Sequence, residues 1–310
     1  MESLTAYVLQ LLTALILAPL LPGIISRIKA KFAGRHGKPL LQLYFDLAKL
    51  LRKSEVISPT TTWVFSAGPA IYLATAVLAM VLIPLGGVSS PFQFSGDFIL
   101  FAYLLGMGRF ATVLAALDTG SPFEGMGASR EAFFGSIAEP VLFLCFLVLI
   151  NTAASLKLPL DFSLSPLFNG FSVRAWASGR PELILLIFVM GVLLLVENCR
   201  IPVDDPNTHL ELTMIHEVMI LDHSGINLAF ILYGSSLKLW IFASLFVSLF
   251  VPMMPLWAQS VLTLIAIFLA AALVGIIESL MARLRMPIVP AFIGLAGAVA
   301  VFVLILTLVR

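Results

Sequence analysis

Glu139, Lys238 and Arg109 fall inside long apolar runs. A charged side chain in a bilayer interior costs a few kcal/mol or more, so each needs a partner or a function. Glu139 is followed by Pro140, which removes one helical hydrogen bond and can admit water to the carboxylate. The apolar pattern puts Glu139 about two turns inside its helix, roughly 12–14 Å from the start. Two roles are open to it: a protonatable relay group, or a fixed ion pair with Arg109 or Lys238. Lys238, in Leu237-Lys238-Leu239-Trp240, is too deep to snorkel easily. It either exchanges protons with a nearby Glu or serves as the counter-ion of Glu139 or Glu197. Glu278, close to Arg283 at the end of its run, is expected at the surface.

A second concentration of charge follows the fifth apolar run. Glu197, Asp204, Asp205, Glu211, Glu217 and Asp222 lie within 26 residues and face a single basic residue, Arg200. Clustered carboxylates repel one another, so such a group can hold and pass protons. It can equally dock a basic partner. His209, His216 and His223 recur every seven residues in the same stretch. That spacing is not the i, i+4 of a helical zinc pair, so titrating or hydrogen-bonding histidines are expected and no metal site is assigned. Gly120-Ser121-Pro122-Phe123-Glu124-Gly125-Met126-Gly127 is glycine-rich but has no lysine after its glycines; a tight turn at the membrane interface fits it better than a phosphate loop. No Ser–His–Asp or Cys–His grouping is evident.

These groups must be positioned by an unusually apolar chain. Of 310 residues, 60% are hydrophobic and only 11% are charged, against about 25% charged in an ordinary soluble domain. That excludes a soluble enzyme, a disordered regulator and a secreted disulfide scaffold. A formal net charge of +1 provides no basic field for nucleic acid. The two cysteines, Cys145 and Cys199, cannot supply the three or four ligands of a structural zinc or iron–sulfur site. Any redox centre therefore belongs to a partner.

Each crossing of a hydrocarbon core takes about 20 apolar residues. Eight runs qualify, at 4–26, 64–86, 97–118, 132–156, 181–199, 228–252, 257–282 and 287–309. The expected fold is an all-α membrane protein with eight transmembrane helices, forming a single polytopic domain over 1–310. Gly106, Gly108 and the Gly120 to Gly127 region are expected to interrupt helices. Cytoplasmic loops are expected at 27–62 and 200–227. Eight Lys and Arg residues between Arg27 and Lys53, with none before the first run, put these loops inside and both termini outside. Within the first loop, Pro39 to Lys53 carries Leu40, Leu43, Tyr44, Leu47, Leu50 and Leu51 at helical spacing, with Asp46, Lys49 and Arg52 opposite. This predicts an amphipathic helix lying along the cytoplasmic interface.

Several strings resemble one family. Leu117-Asp118-Thr119-Gly120-Ser121-Pro122-Phe123, Gly127-Ala128-Ser129-Arg130-Glu131 and Glu139-Pro140 are similar to the membrane anchor subunit of formate hydrogenlyase and hydrogenase-4. That subunit is in turn similar to subunit 1, or H, of respiratory complex I. Gly34-Arg35-His36-Gly37, Asp46 to Leu50, Glu197 to Asp204, Asp222 to Gly225 and Glu278 with Met281-Ala282-Arg283 extend the resemblance over nearly the whole chain. It implies a non-catalytic subunit in a prokaryotic inner membrane, at the junction of a peripheral redox arm and an ion-pumping membrane arm. The implied partners are hydrogenase-type large and small subunits, an iron–sulfur subunit and antiporter-like membrane subunits. Iron–sulfur clusters and a nickel–iron centre would sit on those partners, with no cofactor in this chain. Glu139, Glu197, Asp204 and Glu211 would begin a proton or sodium path, with Asp205, Glu217, Asp222 and Lys238 near it. Arg35, Asp46 and Lys49, together with Arg130, Glu131 and Arg200, would face the peripheral arm. The chain departs from the family's Glu-rich stretch at Asn207-Thr208-His209-Leu210-Glu211, which marks a distinct subgroup.

Two other functions fit parts of the pattern. In a quinone-reactive complex I subunit, helix 39–53 and the first helix would frame a quinone tunnel. In a stand-alone ion-coupled secondary transporter, Lys238 and Glu139 would form the site. Bound quinone would mark the first, and function without a redox arm the second.

Overall fold

The computed structural model describes residues 2–156, 162–169, 176, 179–180, 182–205, 214–252 and 254–309. Their regular structure is helical, apart from a bridge between Leu85 and Val88. The helices are α1 Glu2–Leu17, α2 Leu20–Phe32, α3 Gln42–Leu50, α4 Trp63–Leu82, α5 Asp97–Asp118, α6 Pro122–Ser155, α7 Leu164–Asn169, α8 Glu182–Glu197, α9 His216–Met219, α10 Gly225–Ser248, α11 Leu256–Leu280 and α12 Val289–Val309. A 3-10 turn, Met286–Ile288, leads into the last.

Five of the expected runs become long helices within a few residues of their predicted ends, and the other three differ. The run at 4–26 is two helices bent by 44°. The break falls at Ala18 and Pro19, where proline cannot donate to the ladder. α2 then continues to Phe32, so Arg27, Lys29 and Lys31 lie in helix and not in a loop. Cations suit the carbonyl end of a helix. The run at 132–156 begins ten residues earlier, at Pro122. Proline is well placed at a first helical position, and the polar first turns hid the start from an apolar window. Gly125 and Gly127 are thus helical, and the turn is confined to 119–121; Gly120 has φ +69°. Glu139 sits more than four turns inside α6, not two. α5 runs unbroken through Gly106 and Gly108. α8 has only 16 residues, about 24 Å of rise. Among the described residues, six helices are long and apolar enough to cross a membrane, or seven with the bent pair counted as one span.

α10 is the central helix, with 72% of its apolar window buried, against 28% for the outermost segment, 286–309. It packs on α4, α11, α3 and α8, while α6 packs on α5 and α12. Small residues allow close crossings, as in membrane bundles generally: a Cβ on Gly68 of α4 would stand 2.7 Å from the Ala115 Cβ of α5. Asp118, at the end of α5, accepts hydrogen bonds from Thr62 N–H at 2.7 Å and Phe65 N–H at 3.2 Å, satisfying free donors at the start of α4. The outer face carries Leu9, Tyr103, Trp257, Leu269 and Leu308, all exposed. That is the surface a lipid-facing bundle presents.

Candidate functional site

The apolar helices enclose a network of charges centred on Arg109 of α5. Its Nη1 donates to Glu139 Oε1 at 2.7 Å. Its Nη2 meets both oxygens of Glu197 at 2.7 Å. Nε lies 3.4 Å from Glu131 Oε1. Lys238 of α10 reaches the same Glu197 Oε2 at 2.9 Å. Three carboxylates thus surround two cations contributed by four helices. Gly135 makes this possible: a Cβ there would stand 2.7 Å from Arg109 Cζ and 2.8 Å from Cδ. Gly106 similarly leaves space beside Glu139 Oε1, 3.2 Å from where its Cβ would be.

Among the described residues the network reaches two openings. Glu139 is 41% exposed on a groove between α5 and α6 lined by Tyr103, Met107, Phe110 and Phe143. On the other side lies a cavity of about 170 Å³ lined by Arg109, Glu131, Glu197 and Lys238, and also by Pro22 and Ser26 of α2, Leu43 of α3, Tyr72, Cys199, Asp204, His216 and Glu217. One charge network therefore joins a cavity walled in part by α3 to a carboxylate in the groove between α5 and α6.

A second set of ion pairs closes the end of α8. Asp204 pairs with Arg283 at 2.9 Å and accepts N–H bonds from Asp205 at 2.9 Å, Ile215 at 3.1 Å and His216 at 3.2 Å. Burial pushes the Asp204 carboxyl above its ordinary range, against the pull of Arg283 and these N–H groups. Glu278 is buried and pairs with Lys29 at 2.9 Å and Arg200 at 3.6 Å, and Lys29 also lies 3.5 Å from Asp205. The surface placement expected for Glu278 is wrong: the bend in the first run brings Lys29 to it across α11, and Arg283 goes to Asp204 instead.

Glu139, Glu197 and Lys238 come together through Arg109; Asp204 and Asp205 lie in the second set, and Glu217 lines the cavity. Asp222 is exposed, apart from these. Its N–H donates to Glu124 Oε1 at 3.1 Å. Glu211 and His209 lie outside the described residues. Of the expected arm-facing residues, Arg35 and Lys49 are exposed and Asp46 is half-buried. Asp46 accepts from Gln42 at 2.8 Å on α3. Arg130 donates to the Met214 carbonyl at 2.7 Å. Glu131 and Arg200 turn inward to the ion pairs. His223 is buried, its ring stacked on Phe65 at 4.0 Å between centroids, and burial pulls its pKa down to about 4. His216 instead lines the cavity.

Sequence reasoning passed over Gly135 and weighed Cys199 only as a metal or cluster ligand, missing its place in the backbone. Cys199 has φ +50°, and the hydrogen bonds around it, Arg200 N–H to Leu195 O at 2.9 Å and Cys199 N–H to Val196 O at 3.1 Å, form a Schellman cap of α8. Glycine is the usual occupant of that position, and another residue costs about 1 kcal/mol there. The available signal was a cysteine directly after a helix-ending Glu-Asn.

The family model described as NADH dehydrogenase matches residues 4–308. The chain belongs to the NADH dehydrogenase family. Among its relatives, hydrogenase-4 component C of Escherichia coli (strain K12) is 33% identical over 284 residues, covering 89% of this chain and 87% of that protein. Formate hydrogenlyase subunit 4 of the same organism is 31% identical over 295 residues, with 91% of each covered. NADH-ubiquinone oxidoreductase chain 1 of Yarrowia lipolytica (strain CLIB 122 / E 150) is 28% identical over 189 residues, covering 60% of this chain and 52% of that one. A chain in the structure of the membrane-bound sulfane sulfur reductase, an archaeal respiratory membrane complex, superposes with a TM-score of 0.83 at 19% identity, over 99% of this chain and 100% of that one. The last shares the fold. Together with the apolar helices, membership in the NADH dehydrogenase family makes this a multi-pass membrane protein, and the hydrogenase-4 and formate hydrogenlyase relatives agree with the resemblance carried by Leu117 to Glu131.

Proposed function

We propose that the chain is the membrane junction subunit of a complex I-like assembly of the energy-converting hydrogenase or formate hydrogenlyase type. In this reading it crosses the inner membrane eight times, with the bent α1–α2 pair as one span and α8 as a short one, and both termini lie outside the cytoplasm. It holds no redox centre. Electron transfer in a peripheral arm is coupled through it to movement of protons or sodium ions into antiporter-like subunits.

One observation carries the proposal: the continuous network from the cavity through Glu197, Lys238 and Arg109 to Glu139. A unit charge appearing about 8 Å from a member of this network changes its energy by roughly 2 kcal/mol at an effective dielectric of 20. That suffices to bias a proton transfer or the sharing of Arg109 between Glu139 and Glu197. Charge arriving at the cavity wall, where Glu131, Asp204 and Glu217 stand, would alter the hold of Arg109 and Lys238 on Glu197. Arg109 would then redistribute toward or away from Glu139, and an ion would enter or leave at the outer groove. Arg35, Asp46 and Lys49 are the residues assigned to the arm. Purification of the native complex tests the assignment. A co-purified large subunit carrying two CxxC pairs is the expected result; a chain that purifies alone and transports ions unaided would refute it.

A second reading has its own support. Leu43 of α3 and Pro22 and Ser26 of α2 wall the same cavity, as a quinone tunnel framed by those helices requires. Quinone retained by the purified complex and displaced by quinone-site inhibitors would favour it.

A further inference from the structure

We propose that Glu131, Cys199 and His216 form a binding site for one zinc-class divalent cation in the cavity wall. A carboxylate oxygen, a thiol sulfur and an imidazole nitrogen from these residues all lie within 4.8 Å of one another. Ligand atoms on a tetrahedral zinc stand roughly 3.5 Å apart, given metal–ligand distances of about 2.0–2.3 Å. Each needs to close by only about an ångström, which side-chain rotation toward the cavity they line provides. The set comes from three elements: the first third of α6, the cap of α8 and the start of α9.

Three further features support the site. Glu131 divides its oxygens, Oε1 lying 3.4 Å from Arg109 Nε and Oε2 lying 4.0 Å from Cys199 Sγ. One carboxylate oxygen thus faces the thiol. The charge balance also favours a dication. Four carboxylates, Glu131, Glu197, Asp204 and Glu217, line the cavity against three bases, Arg109, Arg200 and Lys238, an excess of acid. Binding follows Cys–SH + M²⁺ → Cys–S–M⁺ + H⁺, with no change of oxidation state. The dication less the thiol proton adds one positive charge, which offsets that excess. Finally, all three residues line the 170 Å³ cavity, so water can complete a four-coordinate shell. A thiolate with an imidazole selects zinc, cobalt, nickel or copper over magnesium or calcium.

The consequence is regulatory. A cation here ties α9 and its loop to α6 and draws Glu131 away from Arg109, so it holds the network in one arrangement. The inference adds to the proposed coupling role, and its readout is metal content, which is independent of transport.

The test uses the purified native multi-subunit complex, stripped with a chelator and re-equilibrated with zinc. Metal is counted by mass spectrometry and its ligands are read by X-ray absorption. Cys199→Gly suits the positive φ and should fold. The expected result is one zinc more per complex in wild type than in Cys199→Gly, with a sulfur neighbour in the difference spectrum. Cys145→Ala should retain that zinc, and His216→Asn should weaken it at least tenfold. Equal zinc in wild type and Cys199→Gly, a difference spectrum without sulfur, or undiminished affinity in His216→Asn would each overturn the site.

Discussion

Gly135→Ala tests how the charge network is built. The added Cβ would lie 2.7 Å from Arg109 Cζ and 2.8 Å from Cδ, whereas carbon atoms settle at about 3.5–4.0 Å. The guanidinium must therefore retreat by about 1 Å. Its hydrogen bonds to Glu139 and Glu197 are both 2.7 Å long, and adding an ångström takes them beyond hydrogen-bonding range. Breaking a buried ion pair costs about 3–5 kcal/mol. The Glu139 arm deserves less than that, because its carboxylate is 41% exposed. Alanine returns about 1 kcal/mol in helix propensity. The expected net loss is about 2–4 kcal/mol. Gly125→Ala is the control, since it is in the same helix with nothing within 4 Å of its added Cβ, and it should be neutral or stabilising. Thermal unfolding of the two variants in matched detergent gives the comparison. If Gly135→Ala were as stable as Gly125→Ala, the claim that Arg109 is pinned in that position would be wrong.

Two other perturbations follow from the same structure. His223, buried against Phe65 with its pKa drawn down to about 4, binds its proton more readily in the unfolded chain, whose histidine titrates near 6.5. Stability should be intact above pH 6.5 and fall as pH drops toward 4, by up to about 3 kcal/mol; His223→Phe should flatten melting temperature against pH over that window, and an unchanged slope would count against the burial argument. Lys29→Met leaves Glu278 with only the longer Arg200 contact of 3.6 Å, so it should cost about 2–4 kcal/mol; adding Glu278→Gln should recover most of that loss in a double-mutant cycle, whereas strictly additive losses would mean the two residues do not interact.

The helical class and the membrane environment were legible because apolar runs long enough to span leave little alternative. Helix ends were less so. Pro122 begins α6 among polar residues that carry no apolar signal, and the bend at Pro19 was hidden within a continuous apolar run. The charges inside runs, Arg109, Glu139 and Lys238, were identifiable because lipid makes each one exceptional, and the counter-ion candidates for Glu139 and Lys238 included the observed ones. Which pairs form is a tertiary matter. Lys29 and Glu278 are 249 positions apart in the chain, and local pattern did not link them. The role of Gly135 depends on the width of the α5–α6 crossing, which is not a property of the residues around it in sequence.

In the proposed coupling, Glu139 and Glu197 change their share of Arg109 as electrons move. The direct test is ion translocation by the purified complex reconstituted in sealed vesicles, with electron transfer measured in the same sample, for Glu139→Gln and Glu197→Gln. The expected result is assembled complexes that still transfer electrons while translocation falls at least tenfold in both. Undiminished translocation per electron in both variants, with assembly normal, would contradict it and leave the carboxylates as structural anchors.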